Sequence, residues 1–294
     1  MSINQLILAT LAYHDIFDYP LAEDEVHSFL IEKKVDIARI RDGLNSLMTR
    51  SIIGSYYGFY YLKNRAQISR TRLARENNSR QKFKRALFYG ALLKAIPTIK
   101  LLAISGALAM NNSRKNDDID LLIITSRGNL WTTRFLANFI LWPFKRDPKG
   151  KSVSNKACLN LFLDETYLKI NDQNLYTAHE ICQIKPIWDR DNAYHKLIRA
   201  NSWIKKYLPN WQPDNSIKYQ VSSIKKSGFS LITSHLSLIE ILLKKFQLWY
   251  MKSKISTERI GEGQLFFHPA NTGEWVMGEF QKRLKILKLV YNNF

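Results

Sequence analysis

The chain has 294 residues, a hydrophobic fraction of 46% and a formal net charge of +19 at pH 7. That length exceeds one typical domain and that apolar content supplies real cores, so two or three folded domains are expected. No uninterrupted apolar run of about 18 residues occurs, which argues against a membrane span, while the charge would attract polyanions such as nucleic acid, nucleotides or an acidic partner.

Residues 1–64 read as a winged helix-turn-helix. The opening MSINQLILATLAYHD has no basic leader, and His14 and Asp15 follow its apolar part, so it reads as a folded helix and not a signal peptide. Ile3, Ile7 and Leu11 give that helix one apolar face. Asp18-Tyr19-Pro20 opens a second helix with Val26, Phe29 and Leu30 inward. Asp36 is placed to cap a third, in which Ile37, Ile40, Leu44, Leu47 and Met48 keep helical spacing. IIGSYYGFYYLKN then reads as a hairpin about Tyr57-Gly58. In such a module the third helix is the recognition element, with Arg39, Arg41 and Arg50 available to DNA or RNA. Winged helices also dock proteins, and the sequence leaves that alternative open. The wing aromatics Tyr56, Tyr57, Phe59, Tyr60 and Tyr61 read mainly as packing.

Residues 65–98 read as a basic helical connector. Arg65, Arg70, Arg72, Arg75, Arg80, Lys82, Lys84 and Arg85 accompany one acid, Glu76. One face is available to phosphates, the alternative being a solvated face. Phe83, Leu87, Phe88, Leu92 and Leu93 form an apolar stripe, and Pro97 ends the segment.

Residues 99–170 carry the chemistry. IKLLAIS breaks at Gly106, and after the polar turn NNSRKND a second apolar run, IDLLIIT, opens with Asp118-Ile119-Asp120. Both runs read as buried strands. Alternate strand residues share a face, so Asp118 and Asp120 present two carboxylates side by side. Such a pair becomes favourable around a divalent cation, and Mg²⁺ usually takes one or two carboxylates plus substrate phosphates. Gly106 admits a ligand close to the backbone, and Ala107 to Met110 can start a helix whose N–H groups favour an anion. Gly128 to Trp142 then reads as an apolar helix, Lys145 to Lys156 as a basic loop, and ACLNLFL as a third strand. On that strand Cys158, Asn160 and Phe162 are expected on one face.

This strand, glycine turn, short helix and Asp-x-Asp arrangement, over roughly residues 99–163, resembles the nucleotidyltransferase superfamily, polymerase β-like, of the minimal and antibiotic-modifying type. The resemblance implies that Asp118 and Asp120 bind Mg²⁺ or Mn²⁺ and that Ser105, Gly106 and Ala107 hold the triphosphate. Ala107 stands where the family has a serine, and Ser105 is the candidate substitute. A third carboxylate, which in the family helps hold metal and deprotonates the attacking hydroxyl, is matched here by Asn160; Asp164 lies beyond the strand's middle. Arg114 and Lys115, in the turn before the acids, are candidates to neutralise phosphate or plain solvated residues.

Residues 171–294 read as helical: Tyr176 to Ile184, Ala193 to Tyr207, Ser230 to Met251 and Gly278 to Tyr291, with breaks at Pro186, Pro209, Pro213 and Gly228 and a loop at Phe266 to Pro269. The two cysteines, Cys158 and Cys182, fit a reducing cytoplasm and argue against a disulfide framework or a zinc site. The six histidines show no ligand spacing, and His179 reads as a helix-surface or structural residue.

The expected fold is therefore α+β, a nucleotidyltransferase-like mixed sheet between an N-terminal winged helix-turn-helix and a C-terminal helical region. The expected function is Mg²⁺-dependent transfer of a nucleoside monophosphate from a nucleoside triphosphate to an acceptor hydroxyl. The alternative is a nucleotide-sensing, winged-helix nucleic-acid-binding protein with little or no turnover.

Overall fold

The computed structural model describes residues 1–147, 153–213, 233–252, 258–267 and 272–291. Helix α1 (Ile3–Asp15) begins with a capping box, in which Ser2 Oγ accepts from Gln5 N at 3.3 Å and Gln5 Oε1 accepts from Ser2 N at 2.8 Å. The sequence gives α1 one apolar face, yet every residue from Leu6 to Asp15 is buried. Its partners are α2 (Glu23–Ser28), α3 (Ile37–Thr49) and a hairpin of β1 (Ile53–Tyr56) and β2 (Phe59–Leu62). Tyr57 and Gly58 turn the hairpin with φ of 54° and 77°, the left-handed pair that matches strand twist. Pro20 lies ahead of α2, and Asp36 sits at the N-cap of α3 without a side-chain capping bond.

The main sheet is mixed and six-stranded. It contains β3 (Ile99–Ile104), β4 (Ile119–Thr125), β5 (Ala157–Asp164), β6 (Lys185–Asp189), β7 (Arg259–Ile260) and β8 (Gln264–Phe266), in the spatial order β6-β3-β4-β5-β8-β7. Only the β4–β5 pair is parallel; the other four are antiparallel. One face packs against α4 (Gln67–Leu93) and α6 (Leu130–Ile140) through Tyr89, Leu93, Leu130 and Trp131. The other packs against α8 (Ala193–Ala200) through Tyr194 and Leu197. No helix among the described residues is long and apolar enough to cross a membrane.

Three basic residues of α4, Arg72, Arg75 and Lys82, are consumed inside the molecule. Arg72 forks onto Glu25 at 2.5 and 2.9 Å, reaches Glu76 at 3.0 Å and lies over the Tyr19 and Phe59 rings. Arg75 donates to Phe17 O and Asn112 Oδ1, and Lys82 Nζ donates to Asp117 O and Lys115 O. Arg65, just ahead of the helix, bonds Asp15 and Asp18. Arg65, Arg72 and Arg75 tie the N-terminal segments to α4, and Lys82 ties α4 to the turn before β4; a buried cation is tolerated only when paired. They are not a free phosphate-binding face, and Arg70, Arg80, Lys84 and Arg85 are the exposed remainder.

Residues 171–294 are less helical than their composition implies. Helix α7 (Leu175–Gln183) ends at a strand, β6, where the sequence reads only a proline break; β7 and β8 are further strands. Pro186 fits because β6 is an edge strand. Helix α8 stops at Ala200 and gives way to a 3₁₀ segment, Ser202–Lys206. Helix α9 spans Thr233–Met251, and α10 spans Thr272–Ile286, beginning earlier than expected. The expected helix start at Ser230, the break at Gly228, the loop residues His268 and Pro269, and part of the basic loop fall outside the described residues. One core joins Leu6, Ile7 and Leu11 of α1 to Ala178 and Ile181 of α7 and Val276, Phe280 and Leu284 of α10.

Candidate functional site

The site lies where β3 ends and β4 begins. Ser105 follows β3, and its N–H donates to Asp120 O at 3.1 Å, locking the two chain segments together. Gly106 follows with φ +63°, and a Cβ there would lie 2.7 Å from Asp120 Oδ2. Only a glycine meets both demands, the left-handed backbone and the missing atom. Helix α5 (Gly106–Ala109) is a single turn, too short to carry much of an aligned dipole. Ala107 is exposed, while Ser105 Oγ is buried without a hydrogen-bond partner.

Asp118 and Asp120 stand together as their spacing requires. Asp118 accepts a 2.9 Å ion pair from Arg146. Burial, then the charge of Asp118, pushes the Asp120 carboxyl up to about 7. The turn ahead of them is fixed by Asp117, whose Oδ2 accepts from Arg114 N at 2.7 Å, and by Lys82 beneath it. Arg114 and Lys115 themselves are exposed. The basic group at the acids is Arg146, from the loop the sequence marks only as basic.

The neighbour of Asp120 on β5 is Cys158, not Asn160. The ladder pairs Asp120 with Cys158, Leu121 with Leu159, and Leu122 with Leu161. Asn160 is thus the extra residue of a β-bulge, a device that re-aims side chains. The bulge also reverses the alternation beyond it, so Phe162 joins the core beneath α4 and α6 and does not share a face with Cys158. Asp118, Asp120 and Cys158 each offer a donor atom within 4.8 Å of the others, the one such group of three among the described residues. Asp164, at the far end of β5, is occupied: it accepts from Gly128 N, Thr166 N and Thr166 Oγ1.

Ser105 and Asn160 line a cavity of about 610 Å³ that extends between β5, α7 and α10. Tyr176, Phe266 and Met277 supply apolar wall, and Arg259 pairs with Asp172 at its rim. Glu180, from α7, also lines it, and burial pushes this carboxyl up to about 7. Its charge is felt at Asp120. Nothing local in the sequence marks Glu180; only the packing of α7 against α5 and α10 brings it to the acids. Its neighbour His179 is structural, 1% exposed and stacked 4.2 Å from Tyr13, with burial holding its pKa well below the usual range.

The nucleic-acid candidates lie elsewhere, on or just after α3. Arg39 and Arg50 are exposed, whereas Arg41 is held by Glu23 at 2.6 Å. No family model matches the chain, and neither a curated protein nor a solved structure matches it.

Proposed function

We propose that the chain is a nucleotidyltransferase of the polymerase β-like kind, moving a nucleoside monophosphate from a triphosphate such as ATP to an acceptor hydroxyl. The observation that carries this reading is Gly106 folded against Asp120, with Asp118 alongside and a cavity next to Ser105. The donor set suits a divalent cation, because Asp118 and Asp120 repel one another and Asp120 is too desolvated to hold its charge readily. Asp118 and Asp120 would hold Mg²⁺ or Mn²⁺, which supplies charge neutralisation for the triphosphate.

The remaining work falls to the chain itself. Gly106 leaves the space a side chain would fill, and Ser105 Oγ offers a hydroxyl that the protein leaves unused. Arg146 is placed to exchange its Asp118 contact for a phosphate oxygen. The cavity walls Tyr176 and Phe266 suit a base or an acceptor ring. Glu180 takes the proton of the acceptor hydroxyl, whose oxygen bonds the α-phosphorus as pyrophosphate leaves. This role passes to Glu180 because the amide of Asn160 cannot act as a base.

Incubation of the protein with labelled ATP, Mg²⁺ and a panel of hydroxyl-bearing acceptors tests the reading. Pyrophosphate release that Asp120→Ala abolishes is the expected result. Binding of ATP with equal affinity in Mg²⁺ and in EDTA refutes the site.

The exposure of Arg39 and Arg50 favours a second reading, in which α3 contacts DNA or RNA and the sheet domain senses a nucleotide. In that case affinity of the full chain for a duplex falls steeply with salt. Pyrophosphate release dependent on Asp120 would set this reading aside.

A further inference from the structure

The site differs from an all-oxygen metal site in one respect. The position paired with Asp120 across the parallel ladder carries a thiol. We propose that Asp118, Asp120 and Cys158 together hold a thiophilic divalent cation of the Zn²⁺ or Cd²⁺ class in preference to Mg²⁺. This rests on reading the site as metal-binding, and it changes which metal the site selects.

Three features carry the inference. The first is the donor geometry. The three donor atoms lie within 4.8 Å of one another. Bonds of roughly 2.0–2.3 Å in a tetrahedral shell put two donors of one ion about 3.3–3.7 Å apart, so the three side chains have to draw in by at most about 1.5 Å to close the set. The second is donor chemistry. Thiolate sulfur selects soft or borderline ions, whereas Mg²⁺ demands oxygen in a near-octahedral shell. A sulfur in the third position works against Mg²⁺ and leaves a three-ligand set with an open position, the arrangement of catalytic zinc.

The third feature is independent of the cluster. Ser105 Oγ, more than nine-tenths buried and without a partner, lines the cavity adjoining Asp120, whose carbonyl accepts from the Ser105 N–H. An unused buried hydroxyl at that point indicates a polar occupant of the adjoining space, the place a ligand completing the ion's shell would take. Coordination forms one sulfur–metal bond and releases the thiol proton to solvent; no oxidation or reduction is involved. The sequence argues against zinc because it has only two cysteines, each on an expected buried element, and no histidine with ligand spacing. The structure supplies what that reading lacked, two carboxylates beside one of those cysteines.

The test uses the full chain and Cd²⁺ as the probe. Titration with Cd²⁺ should give an ultraviolet sulfur-to-metal charge-transfer band and a calorimetric affinity at least tenfold above that for Mg²⁺. Cys158→Ser should abolish the band and weaken Cd²⁺ at least tenfold without weakening Mg²⁺. Cys182→Ser should leave the band intact. Cys158→Asp provides a second variant, expected to lose the band and gain Mg²⁺ affinity by converting the set to oxygen alone. A Cd²⁺ titration without a band, a band that survives Cys158→Ser, or equal Cd²⁺ and Mg²⁺ affinities overturns the proposal. If triphosphate still binds with Mg²⁺ in those circumstances, only the metal preference falls. If the band appears and no triphosphate binds, the metal site stands and the transferase reading falls.

Discussion

Gly106 and Asp120 are packed so closely that a Cβ on the glycine would lie 2.7 Å from the carboxylate Oδ2. The backbone of Gly106 is also left-handed, at φ +63°. Gly106→Ala therefore meets two obstacles at once. The conformation costs about 1–2 kcal/mol for a residue with a Cβ, and the carboxylate has to move. Urea denaturation should show at least that loss, and calorimetry should show affinity for Mg²⁺ and ATP falling on the order of tenfold or more, about 1.4 kcal/mol. Unchanged nucleotide affinity in a folded Gly106→Ala protein would remove the glycine from the site.

Glu180 and Asn160 separate two assignments of the base. Glu180→Gln keeps the shape and removes the proton acceptor, so turnover should fall roughly 100- to 10,000-fold with little change in ATP affinity. Asn160→Ala should do much less, since the bulge backbone is held by Phe267 N donating to Asn160 O at 2.9 Å whatever the side chain. Single-turnover rates check both. A collapse in Asn160→Ala with Glu180→Gln near wild type would reverse the roles.

Arg72 is expected to be the costliest of the α4 cations to lose. Its side chain is 7% exposed and is shared between Glu25 and Glu76. Removing one partner of a buried pair costs about 3–5 kcal/mol, because the other charge is left without compensation; the partial exposure of Glu25 puts Arg72→Met near about 3 kcal/mol. Denaturation of Arg72→Met, Glu25→Gln and the double variant gives the coupling. Additive effects would show that the ion pair is not what holds the helix.

His14 predicts a pH dependence of defined sign. Burial lowers its pKa from 6.5 to about 4. Between those values the unfolded chain binds the extra proton, so this contribution to stability falls as pH falls. From about pH 7.5 to about pH 5 the loss is roughly 2 kcal/mol. Asp120 and Glu180, both held near 7, act in the opposite direction, since there the folded chain binds the extra proton. The comparison is therefore with His14→Gln: its stability relative to wild type should improve by about that amount over the same interval. A gap that does not change with pH would contradict a neutral buried imidazole.

The order of elements through residues 1–125 is legible in the sequence because each signal there is local. Apolar spacing gives α1 and α3, Tyr57-Gly58 gives the hairpin, and the Asp-x-Asp spacing gives the paired acids. What is not legible depends on partners distant in the chain. The bulge at Asn160 is a mismatch between two strands and has no signature in either, so the pairing of Cys158 with Asp120 is not written in the sequence of either strand. Glu180 reaches the cavity only through the packing of α7. Residues 185–189 read as a break because a proline in an edge strand resembles a proline in a turn. Arg72 and Arg75 of α4 look like part of a polyanion surface until their acidic partners Glu25 and Asp18 are in place.

The core shared by α1 and α10 has a consequence for how the chain is made. Arg283 bonds Asp15 across 268 residues, and Phe280 packs edge-on against Tyr13. At the usual 5–20 residues per second, roughly 15–50 s separate the synthesis of those two helices. During that interval the apolar surface that α1 will give to α10 has no permanent cover on the ribosome. The N-terminal helices and hairpin can therefore assemble early, but they wait on the emergence of α10 before their core closes. Truncation upstream of residue 272 is thus expected to injure the first fifteen residues as directly as it injures the end.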